Sequence, residues 1–510
     1  MRSDQVVFNE QIASQEYTEN DPAPLVLLSD DTLVEGDCAC SDHTTGIQFE
    51  GFASNWSEDC ACENQMASTD ANRIYDRLSY IRTDNALIES LPNGHRLIFS
   101  PFAPTGPVVV NQSAFNRLNS FSCEQPLQST TLDQTLATHR LIQPVGFKGI
   151  WQHTEPATLT AWLHVTNACN LDCPYCYVRK SSARMSEETG FKAVDLLFSS
   201  AQENGFKSVK LKYAGGEATL HFKLIQSLHN RAVELSRQTG IDLREVILSN
   251  GVHIREKDAR WLRDAGIKLA ISVDGIGNDH DQQRPLRNGG GSFSQIEHTI
   301  DNVLLPLGIH PDITITVTQL NTDGVADAVR WAIERDLPIS LNFYRANSLS
   351  RSRTNLQLEE SAIIRGMEAA YEVFEEILPI RPFLNGLLDR VQAYAHTHTC
   401  GVGLAYMVIT HEGKLAQCQM HLEQPVAENL DEALLPLIAS GAIRNLSVDE
   451  KEGCRECIYR YRCTGGCPLE TFRATGRWDV QSPHCHIYKT LFPKALRLEG
   501  LRLLKVNGYL

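Results

Sequence analysis

Between residues 159 and 343, six short apolar runs alternate with stretches of helical period. The runs span 159–165, 208–212, 245–248, 268–273, 313–317 and 339–343, and 187–203 and 220–238 are two of the intervening stretches. Strand and helix in turn predict parallel βαβ units. Six units suggest an α/β chain built on a partial (β/α)6 TIM-like barrel. In such folds ligand chemistry sits at the carboxyl ends of the strands. The residues that follow each run are therefore the informative ones.

The first run leads into Cys169-Asn170-Leu171-Asp172-Cys173-Pro174-Tyr175-Cys176, a C-x3-C-x2-C spacing. Three thiolates can hold three irons of a four-iron, four-sulfur cube. Such cubes normally have four cysteines, so the missing one reads as an open coordination site. A zinc knuckle or three buried thiols are the alternatives. The spacing resembles that of the radical S-adenosylmethionine (SAM) enzymes. The resemblance implies that the open iron binds the amino and carboxylate groups of SAM. It also implies reductive cleavage of SAM to methionine and a 5′-deoxyadenosyl radical, which abstracts hydrogen from a substrate.

The later strand ends fit the same resemblance. Gly215-Gly216-Glu217 follows the second run and is similar to the family's Gly-Gly-Glu motif, with Ala218 where a proline is usual. Glycines permit close backbone approach to a ligand, and a carboxylate can pair with an ammonium group. Ser249-Asn250-Gly251 resembles a Thr-Asn-Gly turn, and Ser272-Val273-Asp274-Gly275 ends the fourth run. Arg284 offers a planar fork suited to a carboxylate. The resemblance thus implies a SAM-contacting set of Tyr175, Gly215, Gly216, Glu217, Ser249, Asn250, Ser272, Asp274 and Arg284. For Asn250 and Asp274, turn and cap chemistry is an equal reading. The glycine-rich 288–292 lacks the Lys-Ser/Thr of a phosphate loop and reads as a loop near the barrel mouth.

Seven further cysteines follow. Cys400 and Cys418 bracket Gly413; then come Cys454, Cys457, Cys463, Cys467 and Cys485. This spacing resembles the SPASM domain of peptide- and protein-maturing radical SAM enzymes. The resemblance implies two auxiliary [4Fe-4S] clusters, for three in all. Cys454, Cys457, Cys463 and Cys485 would hold the outer one, and Cys400, Cys418 and Cys467 the inner one. The fourth inner ligand stays open, with His396, His398 and His421 as candidates. Gln419 stands where sulfatase-maturing relatives carry an aspartate base, which argues against formylglycine formation and leaves no identified catalytic base.

The remaining chain gives less. Residues 1–85 are acidic and poorly patterned, and their Cys38, Cys40, Cys60 and Cys62 match no metal motif. Cys123 reads as a buried small residue. In 86–150, strands at 96–99 and 108–110 flank a turn at 104–107, and helical spacing follows over 111–121 and 132–142. This suggests a small winged-helix-like module, weakly similar to domains that capture a leader peptide as an added strand. The expected organisation continues with the barrel at 151–350, linking helices at 351–395, the SPASM domain at 396–490 and a C-terminal tail or helix at 491–510.

Fifteen cysteines without a signal pattern or a long apolar run suggest a cytoplasmic protein with metal sites rather than disulfides. A net charge of −15 disfavours a nucleic-acid partner. The expected function is a radical SAM maturase of a ribosomally made precursor peptide with a leader sequence, forming a crosslink. Its electron donor would be a flavodoxin or ferredoxin. Epimerisation, decarboxylation, excision, or maturation of an enzyme subunit are the alternatives, and an iron–sulfur carrier or redox sensor is a distant one.

Overall fold

The computed structural model describes residues 23–29, 78–147, 156–350, 356–357, 359–431 and 433–510. Cys38, Cys40, Cys60 and Cys62 lie outside them.

Among its described residues the N-terminal module has seven short strands: β1 (Val26–Leu28), β2 (Ser79–Arg82), β3 (Leu87–Ser90), β4 (Arg96–Phe99), β5 (Val108–Val110), β6 (Gln125–Pro126) and β7 (Ile142–Pro144). One antiparallel sheet runs β1-β5-β4-β3 and a second β6-β2-β7. The expected hairpin is present, with Leu97 opposite Val109. The expected boundary at residue 86 falls inside this module, since β1 and β2 come from the segment read as poorly patterned. Three- and four-residue strands are too short to display a period of two. Helix Gln112–Ser120 starts at Asn111, whose side chain accepts the Ala114 N–H. The next helix, Thr131–Thr138, ends earlier than the expected 142. Arg140 takes a left-handed φ of 54° there, and the chain turns into β7.

The second unit is a single sheet. Its strands are β8 (Thr158–Thr166), β9 (Ser208–Gly215), β10 (Asp242–Ser249), β11 (Lys268–Ser272), β12 (Asp312–Val317), β13 (Ile339–Phe343), β14 (Tyr406–Ile409) and β15 (Leu415–Ala416). The order β13-β12-β11-β10-β9-β8-β14-β15 is an open array. Its six expected strands are neighbours in chain order and parallel. In β8, Leu159, Ala161, Leu163 and Val165 join the main apolar core with Leu197 and Leu228 of the flanking helices. Trp162 belongs to a separate group with Tyr406 and Val408. Two-sided burial explains why these strands read as apolar runs.

The C-terminal cysteine segment is not a free-standing appendage, because β14 pairs parallel with β8, Val408 facing Trp162. The linking region holds one long helix, Glu360–Ile377. It ends where Leu378 turns left-handed at φ 49°, and Pro379 and Pro382 follow, each unable to donate an N–H. The last helix, Cys485–Val506, is largely buried. It carries the N-terminal module, with Phe492 edge-on to Phe99 at 5.7 Å. Among the described residues no helix is long and apolar enough to cross a membrane.

Candidate active site

The cysteine loop leaves β8 at Thr166 and is held from two sides. Leu171 pairs antiparallel with Leu286; the Asp172 N–H donates to Pro285 O at 2.8 Å, and Arg287 N–H to Asn170 O at 3.1 Å. Lys180 Nζ caps the Leu171 carbonyl at 2.6 Å. Cys169 and Cys173 are buried and Cys176 half-buried, and none is in a disulfide. Backbone N–H groups of Leu171 and Val178 point at the Cys169 and Cys176 sulfurs, at 3.4 and 3.5 Å. Burial raises all three thiol pKa values, while Lys180 lowers each of them.

The two glycines at the end of β9 make close approaches. What they approach is the chain itself. A Cβ on Gly216 would lie 2.3 Å from the Ala168 carbonyl oxygen, and one on Gly215 would lie 2.2 Å from that of Thr166. Both contacts bring the end of β9 against the root of the cysteine loop, where Glu217 N–H donates to Ala168 O at 2.7 Å.

Glu217 is 1% exposed. Its Oε1 accepts Thr219 N–H, Thr219 Oγ1 and Ser249 Oγ at 3.1, 2.6 and 2.9 Å, and its Oε2 accepts Asn250 N–H at 2.6 Å. These donors are neutral, and no cationic side chain pairs with it among the described residues. Asn250 is committed to structure. Its Nδ2 donates to Asn170 Oδ1 at 2.6 Å, and its Oδ1 accepts Val252 N–H at 3.0 Å. Asn250 Nδ2 also faces the Cys169 sulfur at 3.9 Å, so the side chain serves both its own turn and the cysteine loop.

On the Cys173 side, Tyr175, Asp274 and Arg284 form one buried cluster. The Tyr175 hydroxyl donates to Asp274 Oδ2 and accepts from Arg284 Nη1. Asp274 Oδ1 takes Thr316 N–H at 2.7 Å. Burial lowers the Arg284 pKa, but Tyr175, Cys173 and Asp274 together raise it well above normal. Arg284 Nε is buried without an acceptor.

Behind the cluster, His280 is buried and its pKa is pushed down to about 3, chiefly by desolvation and then by Arg284. Its Nδ1 accepts Asp274 N–H at 3.2 Å, so the ring is neutral with the proton on Nε2, facing Ser292 Oγ at 3.1 Å. Ser292 Oγ donates in turn to Arg284 O at 2.6 Å. Ser272 is half-buried at the end of β11. Lys180, Asn170 and His280 are site residues that the sequence reading does not pick out, since their partners are brought to them by the fold and no spacing marks those contacts.

The C-terminal thiols fall into two groups. Cys454, Cys457, Cys463 and Cys485 line one cavity together with Tyr488 and Phe492. Burial pushes Cys454 up to about 11 and Cys463 up to about 12. Cys400, Cys467 and Cys418 pack elsewhere, against Trp162, Ala214 and Tyr406 on β8, β9 and β14. His396 faces Tyr394 O and Thr464 Oγ1, and His398 faces Thr397 Oγ1. Cys123 is exposed, contrary to the expected buried position. Among the described residues no three His, Cys, Asp or Glu side chains are arranged to hold a single metal ion.

Residues 163–332 match the Radical SAM superfamily. Those residues form a domain of that superfamily, and the protein is an enzyme. Membership implies SAM and a [4Fe-4S] cluster, and the radical SAM region holds the cysteine loop, Glu217 and the Arg284 cluster. An uncharacterised protein of Methanocaldococcus jannaschii is 31% identical over 177 residues, 34% of this chain and 57% of that protein. The sporulation killing factor maturation protein SkfB of Bacillus subtilis is 26% identical over 327 residues, 62% of this chain and 73% of its own length. A structure of anSMEcpe with bound AdoMet and a peptide aligns at TM-score 0.55 and 19% identity, covering 69% of this chain and 99% of that one. That likeness concerns the fold.

The residues present fit these groups. Three free thiols cluster beside backbone donors. A buried carboxylate without a cation and a guanidinium with an unused Nε flank them, which suits the two charged ends of an amino acid.

Proposed function

We propose that this radical SAM enzyme is a SPASM-type maturase that acts on a peptide or protein. The observation that carries the reading is the convergence of Cys454, Cys457, Cys463 and Cys485 on one cavity. Those four residues are separated by up to 31 positions in sequence, yet they are the same four that the SPASM resemblance assigns to one cluster. The described maturation role of SkfB supports the substrate class, and the open six-strand array supports the partial barrel.

When bound, SAM and the first cluster supply a 5′-deoxyadenosyl radical able to remove a hydrogen atom. The chain's own residues prepare that site. Glu217 takes an ammonium end and Arg284 a carboxylate end, with Tyr175 and Asp274 fixing the guanidinium plane. Leu171, Val252 and Leu286 pack around the thiols and exclude water, which protects a reactive intermediate. Gln419 has no proton-accepting role: its Oε1 accepts the Tyr406 hydroxyl at 2.7 Å.

The substrate is a precursor peptide with a leader sequence, and the product carries an oxidative crosslink. The electron donor is a flavodoxin or ferredoxin. The test is anaerobic co-expression with a candidate precursor encoded nearby, followed by mass spectrometry. Loss of two hydrogens, with no fragmentation between two residues, supports a crosslink. Deuterium uptake at unchanged mass means epimerisation, and a larger loss means excision or decarboxylation. SAM cleavage with no change in any peptide tried, but modification of a co-purified protein, moves the substrate to an enzyme subunit.

A further inference from the structure

Lys451 is 2% exposed. Its Nζ donates to the Thr464 carbonyl at 2.7 Å. Thr464 lies in Cys463-Thr464-Gly465-Gly466-Cys467. These five residues join the two thiol groups, because Cys463 lines the outer cavity and Cys467 packs with Cys400.

All three residues of the link are left-handed, with φ of 47°, 81° and 69°. Glycine adopts that region freely, but a β-branched threonine does not. The strained threonine is held by its surroundings. Thr399 Oγ1 donates to Thr464 O and Gly466 O at 3.1 and 2.8 Å.

The missing side chain at Gly465 leaves room for the ammonium group. A Cβ there would stand 2.7 Å from Lys451 Cδ, 3.2 Å from Nζ and 3.4 Å from Cys454 Sγ. Lys451 and the Cys454 sulfur therefore face the same spot. Burial lowers the lysine's pKa, and Cys454, Cys400, Cys463 and Cys467 offset part of that effect. Those four thiols come from both groups. They are the largest charges acting on it. A buried cation needs a compensating negative charge, and thiolate-ligated clusters would provide one on each side.

We infer that Lys451 is a fixed positive charge between the two auxiliary cluster sites, and that it raises the reduction potential of both. The inference rests on the SPASM reading above. A gained electron adds one negative charge, and a nearby buried cation stabilises that reduced form. Net charge and hydrogen bonding are among the quantities that set such potentials. Lys451 touches no substrate. It acts through the clusters, favouring their acceptance of the electron released when the substrate radical is oxidised.

The test uses the full chain, reconstituted anaerobically, as wild type, Lys451→Gln and Lys451→Arg. Glutamine is polar but carries no charge, whereas arginine keeps the charge. Iron and sulfide are counted first, and redox titrations followed by electron paramagnetic resonance are run next. In Lys451→Gln both auxiliary signals should move to lower potential by at least tenfold in the reduction equilibrium, about 59 mV for one electron. Lys451→Arg should stay near wild type, and the first cluster should not move.

Unchanged auxiliary potentials in fully loaded Lys451→Gln protein would overturn the inference. So would loss of auxiliary iron in both variants, since packing would then be the role. Iron lost from Lys451→Gln but kept in Lys451→Arg at wild-type potential supports the charge. Wild-type protein that loads iron at the first site alone would overturn the SPASM reading itself, a separate result.

Discussion

The Glu217 carboxylate at the end of β9 accepts the backbone N–H of Asn250, at the end of β10, at 2.6 Å. One buried carboxylate thus ties two strand ends together, and among the described residues no cationic side chain pairs with it. Glu217→Gln keeps the shape and removes the charge, and it sets an NH2 against one of the present donors. SAM affinity should fall tenfold or more, as expected when a charged hydrogen bond of about 1.5–3 kcal/mol is lost. Anaerobic calorimetry with SAM measures it. Iron content should be retained; wild-type affinity would remove Glu217 from the binding role.

Gly216→Ala should be more damaging to the cysteine loop than to the fold. Its Cβ would press on the Ala168 backbone at 2.3 Å, a clash of roughly 1–3 kcal/mol. Gly240, at φ 73° with nothing within 4 Å, is the control. Gly240→Ala should lose some thermal stability and keep its iron, whereas Gly216→Ala should lose iron from the first site. Equal iron content in the two variants would refute the close-approach argument.

Cys173→Ala should abolish SAM cleavage, read as 5′-deoxyadenosine by chromatography. Cys457→Ala should leave part of the cleavage but no finished product. Wild-type cleavage by the Cys173→Ala protein would defeat the central assignment.

Acid should destabilise the chain through its buried histidines. His280 is held down to about 3, and His139 and His164 to about 4, each mainly by burial. All three are neutral in the folded chain at pH 7. Below the unfolded value of about 6.5, the unfolded chain binds more protons. Their stability contribution is therefore full above pH 6.5 and is lost as pH falls toward the folded values. The slope is about 1.4 kcal/mol per pH unit for each histidine. Denaturant unfolding between pH 7 and 5 measures it, and His280→Gln should have a shallower slope. An equal slope would mean that His280 does not titrate in this window.

Docking of the N-terminal module depends on a buried ion pair. Glu499 Oε1 accepts Ser29 Oγ at 2.8 Å and Arg502 Nη2 at 2.7 Å. Glu499→Ala would take the carboxylate away from buried Arg502, which keeps its bond to the Ile380 carbonyl, at a cost of about 3–5 kcal/mol. Limited proteolysis should then release the N-terminal module faster than in wild type. Glu499→Gln should lie between the two.

Much of the radical SAM region was legible because its signals are local. Burial on both faces makes a parallel strand an apolar run, and helix 187–203 carries its own period and its own cap, Ser186. The strand ends were likewise visible, since turn residues such as Gly215 and Asn250 follow each run. Linear patterns failed where a neighbour decides the outcome. β1 is a strand because β5 pairs with it, Leu27 facing Val109. The linking helix Glu360–Ile377 stops short of residue 395, at a left-handed Leu378 followed by two prolines.

The sequence by itself determined which residues bear chemistry and on which strand ends they stand, because spacing and period are properties of the chain. Only the tertiary structure decided what those residues do for one another. It spent Gly215 and Gly216 on the cysteine loop and Asn250 on Asn170, and it left Glu217 without a cation. It also placed Lys451 among thiols from both C-terminal groups. Charge compensation, steric approach and burial act through space, between residues that may be hundreds of positions apart, and no local pattern encodes them.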